Sequence, residues 1–269
     1  METGTPRLSR KPRFPKIMIA VFTTLAVIYA VLCLALFILQ KSLLYFPTGA
    51  AEIITGEPHV FHVNDHQINA VLLNPGMDQA VVYFGGNAEQ IEETVSDFRQ
   101  YQQHTFYFVN YRGYGGSSGK PHKKGILDDV HKILDDIYGN HSQVILIGRS
   151  LGSGIATYLA NQKEIPQVIL ITPYDSIEKV ASENFSLFPV KLLLTQNYNS
   201  LEYIRDIDTQ FTVIYSENDR IIPPHRTENL INHMRVKPRV INIPQADHNS
   251  ISSYPEFWQE IDRVLKYSK

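Results

Sequence analysis

The sequence predicts an α/β fold, a mostly parallel eight-stranded sheet with helices on both faces and a small cap, preceded by one transmembrane helix. Three observations carry this prediction. Short β-branched runs alternate with helical segments along residues 42–269, the pattern of strands joined by crossover helices. The last six runs are apolar nearly throughout, as strands covered on both faces are. Ahead of all of them, residues 17–39 form an uncharged apolar stretch.

That stretch comes first in the chain. At about 1.5 Å per residue, a helix over Ile17–Leu39 covers roughly the 30 Å hydrocarbon thickness of a bilayer. A basic tail over residues 1–16 (Arg7, Arg10, Lys11, Arg13 and Lys16) precedes it, and only Lys41 follows closely. The positive-inside rule then puts the N-terminus in the cytoplasm and the body, residues 40–269, on the periplasmic, lumenal or extracellular side. The competing reading is a cleaved signal peptide. Such peptides carry an apolar core of roughly 7–15 residues and a small-x-small cleavage site. This stretch is longer, and Leu36–Leu44 offers no such site, so an uncleaved anchor is expected. Cys33, the single cysteine of the chain, lies inside it. The body therefore has no disulfide, no cysteine nucleophile and no cysteine-based zinc site.

In the body, strands are expected at Val60–Val63, Ile68–Leu73, Ala80–Phe84, Thr105–Tyr111, Gln143–Ile147, Val168–Ile171, Phe211–Tyr215 and Arg239–Ile243. The first two are joined so briefly that they should pair as an antiparallel hairpin. Helices are expected at Glu89–Gln103, Lys123–Tyr138, Gly152–Asn161, Pro224–Met234 and Pro255–Tyr267. Residues 172–210 break the rhythm with Pro173, Pro189 and the apolar run Val190–Leu194; they read as a small cap or as an ordinary crossover with irregular flanks. The chain holds 25 basic and 27 acidic residues, but 42–269 holds 19 against 26. An acidic body argues against a nucleic-acid partner, which needs clustered Lys and Arg to neutralise phosphates.

The chemistry begins at Gly148-Arg149-Ser150-Leu151-Gly152, a G-x-S-x-G motif. Alone the pattern is common. Here a strand, Val144–Ile147, runs into it and a helical stretch, Ser153–Ala160, leaves it. A serine on a tight strand-to-helix turn, with glycines two residues to each side, is a nucleophile elbow: only glycines let the neighbouring backbones approach closely enough. The turn exposes Oγ and aims a helix N-terminus at a developing oxyanion.

A serine nucleophile needs a base, and in this strand–helix context the order is Ser, acid, His. His225 and His233 fall on the helix after Pro223 and read as surface residues. His248 sits in a loop after the last strand, at the end of a parallel sheet where catalytic groups collect. For the acid, Asp219 follows the strand Phe211–Tyr215 and can reach an imidazole at the next strand end; Asp175 is its rival, with Glu217 and Asp247 less favoured. For the oxyanion hole, one backbone N–H comes from Leu151 and the second from the turn Gly85-Gly86-Asn87, with Asn87 as the donor. The glycine-rich run Tyr111–Lys120 fails as a phosphate loop, since Tyr114 and Pro121 stand where glycine and a hydroxyl residue are required. It reads as a structural loop beside the site, with Arg112 as a buttress. No cluster of His and carboxylates has metal-ligand spacing.

The sequence resembles the membrane-anchored α/β-hydrolase-domain proteins of the serine aminopeptidase-like branch. The likeness rests on Tyr45-Phe46-Pro47, Phe84-Gly85-Gly86-Asn87-Ala88, Asn110-Tyr111-Arg112-Gly113-Tyr114-Gly115, Gly148–Gly154, the Asp219 loop and His248, which in order span nearly all of residues 42–269. It implies the α/β-hydrolase fold, a Ser150–Asp219–His248 triad and no cofactor. Gly85 stands where many relatives carry His. Family members act on esters, thioesters, lipids or peptides, so the resemblance does not fix the substrate. The expected function is a membrane-anchored serine hydrolase of acyl bonds, with ester, thioester or lipid-like substrates favoured by the apolar stretch Leu187–Leu194. Its partners would be an acyl substrate and the membrane engaged by residues 17–39. The alternatives are an aminopeptidase or an acyltransferase on the same triad, or a catalytically silent binding or scaffold protein.

Overall fold

The computed structural model describes residues 14–52 and 55–267. Of the expected basic tail, Arg7, Arg10, Lys11 and Arg13 lie outside the described residues. The chain divides into Met1–Leu39 and Gln40–Lys269.

Helix α1 spans Phe14–Leu44. Its portion Lys16–Leu44 has a mean hydropathy of 2.6 and is long and apolar enough to cross a membrane. The hydroxyls of Thr23 and Thr24 donate to the carbonyls of Ile19 and Ala20 at 2.9 Å, so these polar groups are satisfied within the helix itself. That is the arrangement an apolar surrounding demands.

The second unit is built on the eight strands β1 (Glu57–Val63), β2 (His66–Leu73), β3 (Gln79–Phe84), β4 (His104–Val109), β5 (Gln143–Arg149), β6 (Gln167–Ile171), β7 (Gln210–Tyr215) and β8 (Arg239–Asn242), in the spatial order β1-β2-β4-β3-β5-β6-β7-β8. All eight expected strands are present. β1 and β2 form the expected antiparallel hairpin, β2 is antiparallel to β4, and the remaining pairs are parallel. Successive residues of β3 and β5 enter two separate cores. Val82, Phe84, Val144 and Leu146 belong to one, and Val81, Tyr83, Ile145 and Ile147 to the other. This is why these strands read as continuous apolar runs rather than as alternating ones.

Helices α3 (Lys123–Asn140) and α4 (Leu151–Gln162) fill the first core with residues such as Ile126, Val130, Ile133, Ile155 and Leu159. The C-terminal helix, Pro255–Tyr267, covers the opposite face. It buries Phe257, Ile261, Val264 and Leu265 at helical spacing, each worth about 1.5–3 kcal/mol.

Two expectations change. The helix expected over Glu89–Gln103 is a single α-turn, α2 (Ile91–Thr94), followed by a 3₁₀ turn, Val95–Phe98. The tightening points Phe98 into an aromatic cluster with Tyr83, Phe106, Phe108 and Trp258, at centroid separations of 5.4–5.8 Å. β4 ends at Val109 rather than Tyr111; the next residue, Asn110, donates its amide to the Asn69 carbonyl (3.0 Å) and its side chain to the buried Glu92 (2.8 Å).

Between β6 and β7 the chain makes an excursion of three short helices, α5 (Ile177–Asn184), α6 (Val190–Leu193) and α7 (Ser200–Ile204), with a β-bridge between Ser176 and Asn199 at its neck. No long crossover helix occupies 172–210. The chain then passes β7, helix α8 (Pro224–Ile231) and β8 before the C-terminal helix, α9.

Candidate active site

Ser150 stands at the carboxyl end of β5, in the middle of the sheet, with φ 50° and ψ −113°. A residue with a Cβ adopts this region only under strain. The surroundings hold it there. Its amide extends the β5–β6 ladder to the Ile171 carbonyl (2.9 Å), and its carbonyl accepts from the Ser153 amide (2.9 Å) and hydroxyl (2.6 Å). The flanking glycines are obligatory. A Cβ on Gly148 would lie 2.4 Å from the Gly152 carbonyl oxygen, and one on Gly152 would lie 2.0 Å from that of Phe84. The second contact presses the first turn of α4 directly onto the end of β3.

Two further strand ends supply the partners. With its proton on Nδ1, His248 donates to Asp219 Oδ2 at 2.7 Å, and its Nε2 accepts from the Ser150 hydroxyl at 2.9 Å. His248 and Asp219 are 7% and 5% exposed, while Ser150 is half-buried. The other Asp219 oxygen accepts from the amides of Ile221 and Ile222, both at 2.8 Å, which fixes the carboxylate's orientation. The three residues come from loops after β5, β7 and β8, as the sequence order required.

The rival acids are occupied elsewhere. Asp175 is fully buried and accepts from Arg226 Nη1 (3.1 Å), Asn229 Nδ2 (2.7 Å) and the Ser176 amide (2.7 Å). Asp247 caps its own loop through the amides of Asn249 and Ser250, and those hydrogen bonds, the Ser250 amide's foremost, hold its carboxyl below the usual range. Glu217 is exposed beside Asn242. His225 pairs with Glu183 (2.8 Å) and His233 with the Asn229 carbonyl (2.7 Å), both away from Ser150.

The turn after β3 adjoins Ser150, since a Cβ on Gly86 would lie 3.5 Å from Ser150 Cβ. The Gly86 amide donates to Glu89 Oε2 (2.6 Å) and is thus engaged within the turn, one residue before Asn87. The Asn87 side chain is structural: Oδ1 accepts from the Phe46 amide (3.0 Å) and the Tyr114 hydroxyl (2.8 Å), and Nδ2 donates to the Leu44 carbonyl. Buried Tyr111, its phenol pushed well above its ordinary pKa by burial, donates to the Gly85 carbonyl at 2.6 Å. At position 85 any side chain would begin 2.6 Å from Ile91 Cγ2, so glycine here goes with Ile91. Arg112 buttresses its loop as expected, through a buried two-pronged pair with Asp129 (both 2.7 Å).

Several supporting residues escaped the sequence reading. Glu89 also accepts from Tyr83 (2.7 Å) and Thr94 (2.8 Å), so one carboxylate organises the whole turn. A Glu three residues after a turn glycine, reaching back to its amide, has the spacing of a capping box and was a legible signal. Arg149 Nη2 donates to the Asn249 carbonyl (2.9 Å), and the Ser216 hydroxyl donates to that of Ala246 (2.7 Å). These bonds staple the elbow, acid loop and histidine loop together, but they cross 30 or more residues and leave no local pattern. A cavity of about 380 Å³ opens beside His248, lined by Asn218, Arg220, Ile221 and residues 245–249. Among the described residues, no group of three or more His, Cys, Asp or Glu is placed to hold a metal ion.

Comparison with known proteins agrees with this architecture. The sequence profile described as alpha/beta hydrolase fold matches residues 69–196, which contain the turn and the elbow. An uncharacterised protein of Mycobacterium tuberculosis is 28% identical over 144 residues, covering 52% of this chain and 51% of that one. An uncharacterised membrane protein of Saccharomyces cerevisiae is 28% identical over 178 residues, covering 62% of each. The chain thus spans between half and two thirds of these relatives' lengths. Among solved structures, the Pyrococcus furiosus esterase Pf2001 superposes with a TM-score of 0.65 at 17% identity, over 82% of this chain and 97% of that one. That likeness is one of fold.

Proposed function

Since this chain is an α/β-hydrolase-domain protein, we propose that it is a membrane-anchored serine hydrolase that cleaves acyl bonds through Ser150, His248 and Asp219. The observation that carries the reading is the unbroken chain of hydrogen bonds from Asp219 through His248 to the Ser150 hydroxyl. In this mechanism Ser150 Oγ attacks the substrate carbonyl while His248 Nε2 takes its proton. Asp219 holds the imidazole in the required tautomer and stabilises the imidazolium. The tetrahedral oxyanion is held by the Asn87 and Leu151 amides, backed by the N-terminus of α4. His248 then protonates the leaving group, and water activated by the same histidine releases the acyl group from Ser150. Esters, thioesters or lipid-like acyl compounds are the favoured substrates, given the apolar helix α1 and the exposed leucines of the 172–210 excursion. Residues 17–39 serve as the anchor, with the body on the non-cytoplasmic side.

Labelling of the full chain by a fluorophosphonate probe tests the reading. Wild type is expected to label and to hydrolyse p-nitrophenyl esters, and Ser150→Ala to lose labelling and about 10⁶-fold in kcat. A folded wild-type protein that neither labels nor turns over any activated ester would overturn it.

A further inference from the structure

We infer that the turn and short helix between Phe185 and Leu194 form a lipid-facing surface, through which the catalytic body rests on the headgroup layer of the membrane. The inference depends on the reading of α1 as an anchor and goes beyond it, because an anchored body can equally well stand clear of the bilayer.

Exposure is the first observation. Leu187 and Leu192 are each 82% exposed, more than any other large apolar side chain described, those of α1 included; Phe185 adds an aromatic ring at 39%. Single exposed leucines are ordinary on a soluble protein. Two side chains of this size, five residues apart in one short segment, forgo burial worth about 1.5–3 kcal/mol each.

Position is the second. Gln40 directly follows the apolar stretch that ends at Leu39, and its side chain is bound into this same segment. Gln40 Nε2 donates to the Leu193 carbonyl (3.2 Å), while its Oε1 accepts from the Thr195 amide (2.7 Å) and hydroxyl (2.9 Å). The polar layer flanking the hydrocarbon is roughly 5–8 Å deep on each side. When Leu39 ends a membrane span, the hydrogen bonds of Gln40 therefore bring Leu193, and Leu192 beside it, within about the depth of that layer.

Charge is the third. Lys41 and Lys191, one on each of the bonded segments, are both exposed. Lysines flanking apolar side chains at this level lay their methylenes along lipid and their ammonium groups among phosphates. The nearby carboxylate of Glu183 is engaged by Arg226 and His225.

The test uses the full chain with Cys33→Ser, carrying single cysteines labelled with bimane, in phosphatidylcholine–phosphatidylglycerol vesicles that contain nitroxide-bearing lipids. The sites are Leu192→Cys, Leu25→Cys within α1, and Met77→Cys in the turn at the amino edge of the sheet; all three positions are exposed, so the cores are untouched. Shallow nitroxides are expected to quench the label at 192 severalfold more than the label at 77, and deep nitroxides to quench the label at 25. If 192 is quenched no more than 77 while 25 is quenched, the anchor stands and the lipid-facing surface is refuted, leaving a second copy or a protein partner as its occupant. If 25 is not quenched either, the anchor itself fails and the inference with it.

Discussion

Asp219 differs from the other candidate acids in where its two oxygens go. One is saturated by the amides of Ile221 and Ile222, and the other faces His248 alone. Asparagine in its place keeps the shape and loses the charge that selects the histidine tautomer. Asp219→Asn is therefore expected to lower kcat on an activated ester by about 10⁴-fold with KM little changed. Asp247→Asn, in the adjoining loop, removes only an exposed local cap and should change kcat by less than about tenfold. The reverse order of effects would reassign the acid. This level of detail was partly legible in the sequence. Chain order and loop placement favoured Asp219 and His248, whereas Asp175 lost its candidacy only through Arg226 and Asn229, more than 50 residues away.

Among the elements, the parallel strands and the elbow were the most legible, because their physics is local. A strand buried on both faces is an apolar run whatever it packs against, and a serine forced to positive φ requires its glycines close by in sequence. The segment after β3 was legible only in the spacing of Gly86 and Glu89. Its composition suits a helix, but the pull of Glu89 on Gly86, Tyr83 and Thr94 and the burial of Phe98 break it into two short turns. Arg112 belongs to this scale too, since it joins the loop after β4 to α3 through Asp129, with both side chains buried. Removing one partner strands the other's charge. Arg112→Ala is expected to lower unfolding stability by about 3–5 kcal/mol, and the pair Arg112→Leu with Asp129→Leu to recover part of that loss, as read by denaturant melts.

At the scale of the molecule, a membrane anchor over residues 17–39 would shield the one thiol in the chain. Cys33 lies within the apolar helix, so a membrane-impermeant maleimide should label it only after detergent is added, and the chain should remain with membranes through alkaline carbonate extraction. Release into the carbonate supernatant would count against the anchor. The backbone of Ser150 has its own consequence for the whole chain. A residue at φ 50° and ψ −113° raises the free energy of the folded state by on the order of 1–3 kcal/mol, and only glycine relieves it. Ser150→Gly should thus melt at a higher temperature than wild type, while Ser150→Ala should not. The native chain would then be less stable than its glycine variant by one atom's worth of steric conflict, a stability that its architecture allows and that its side chain at 150 forgoes.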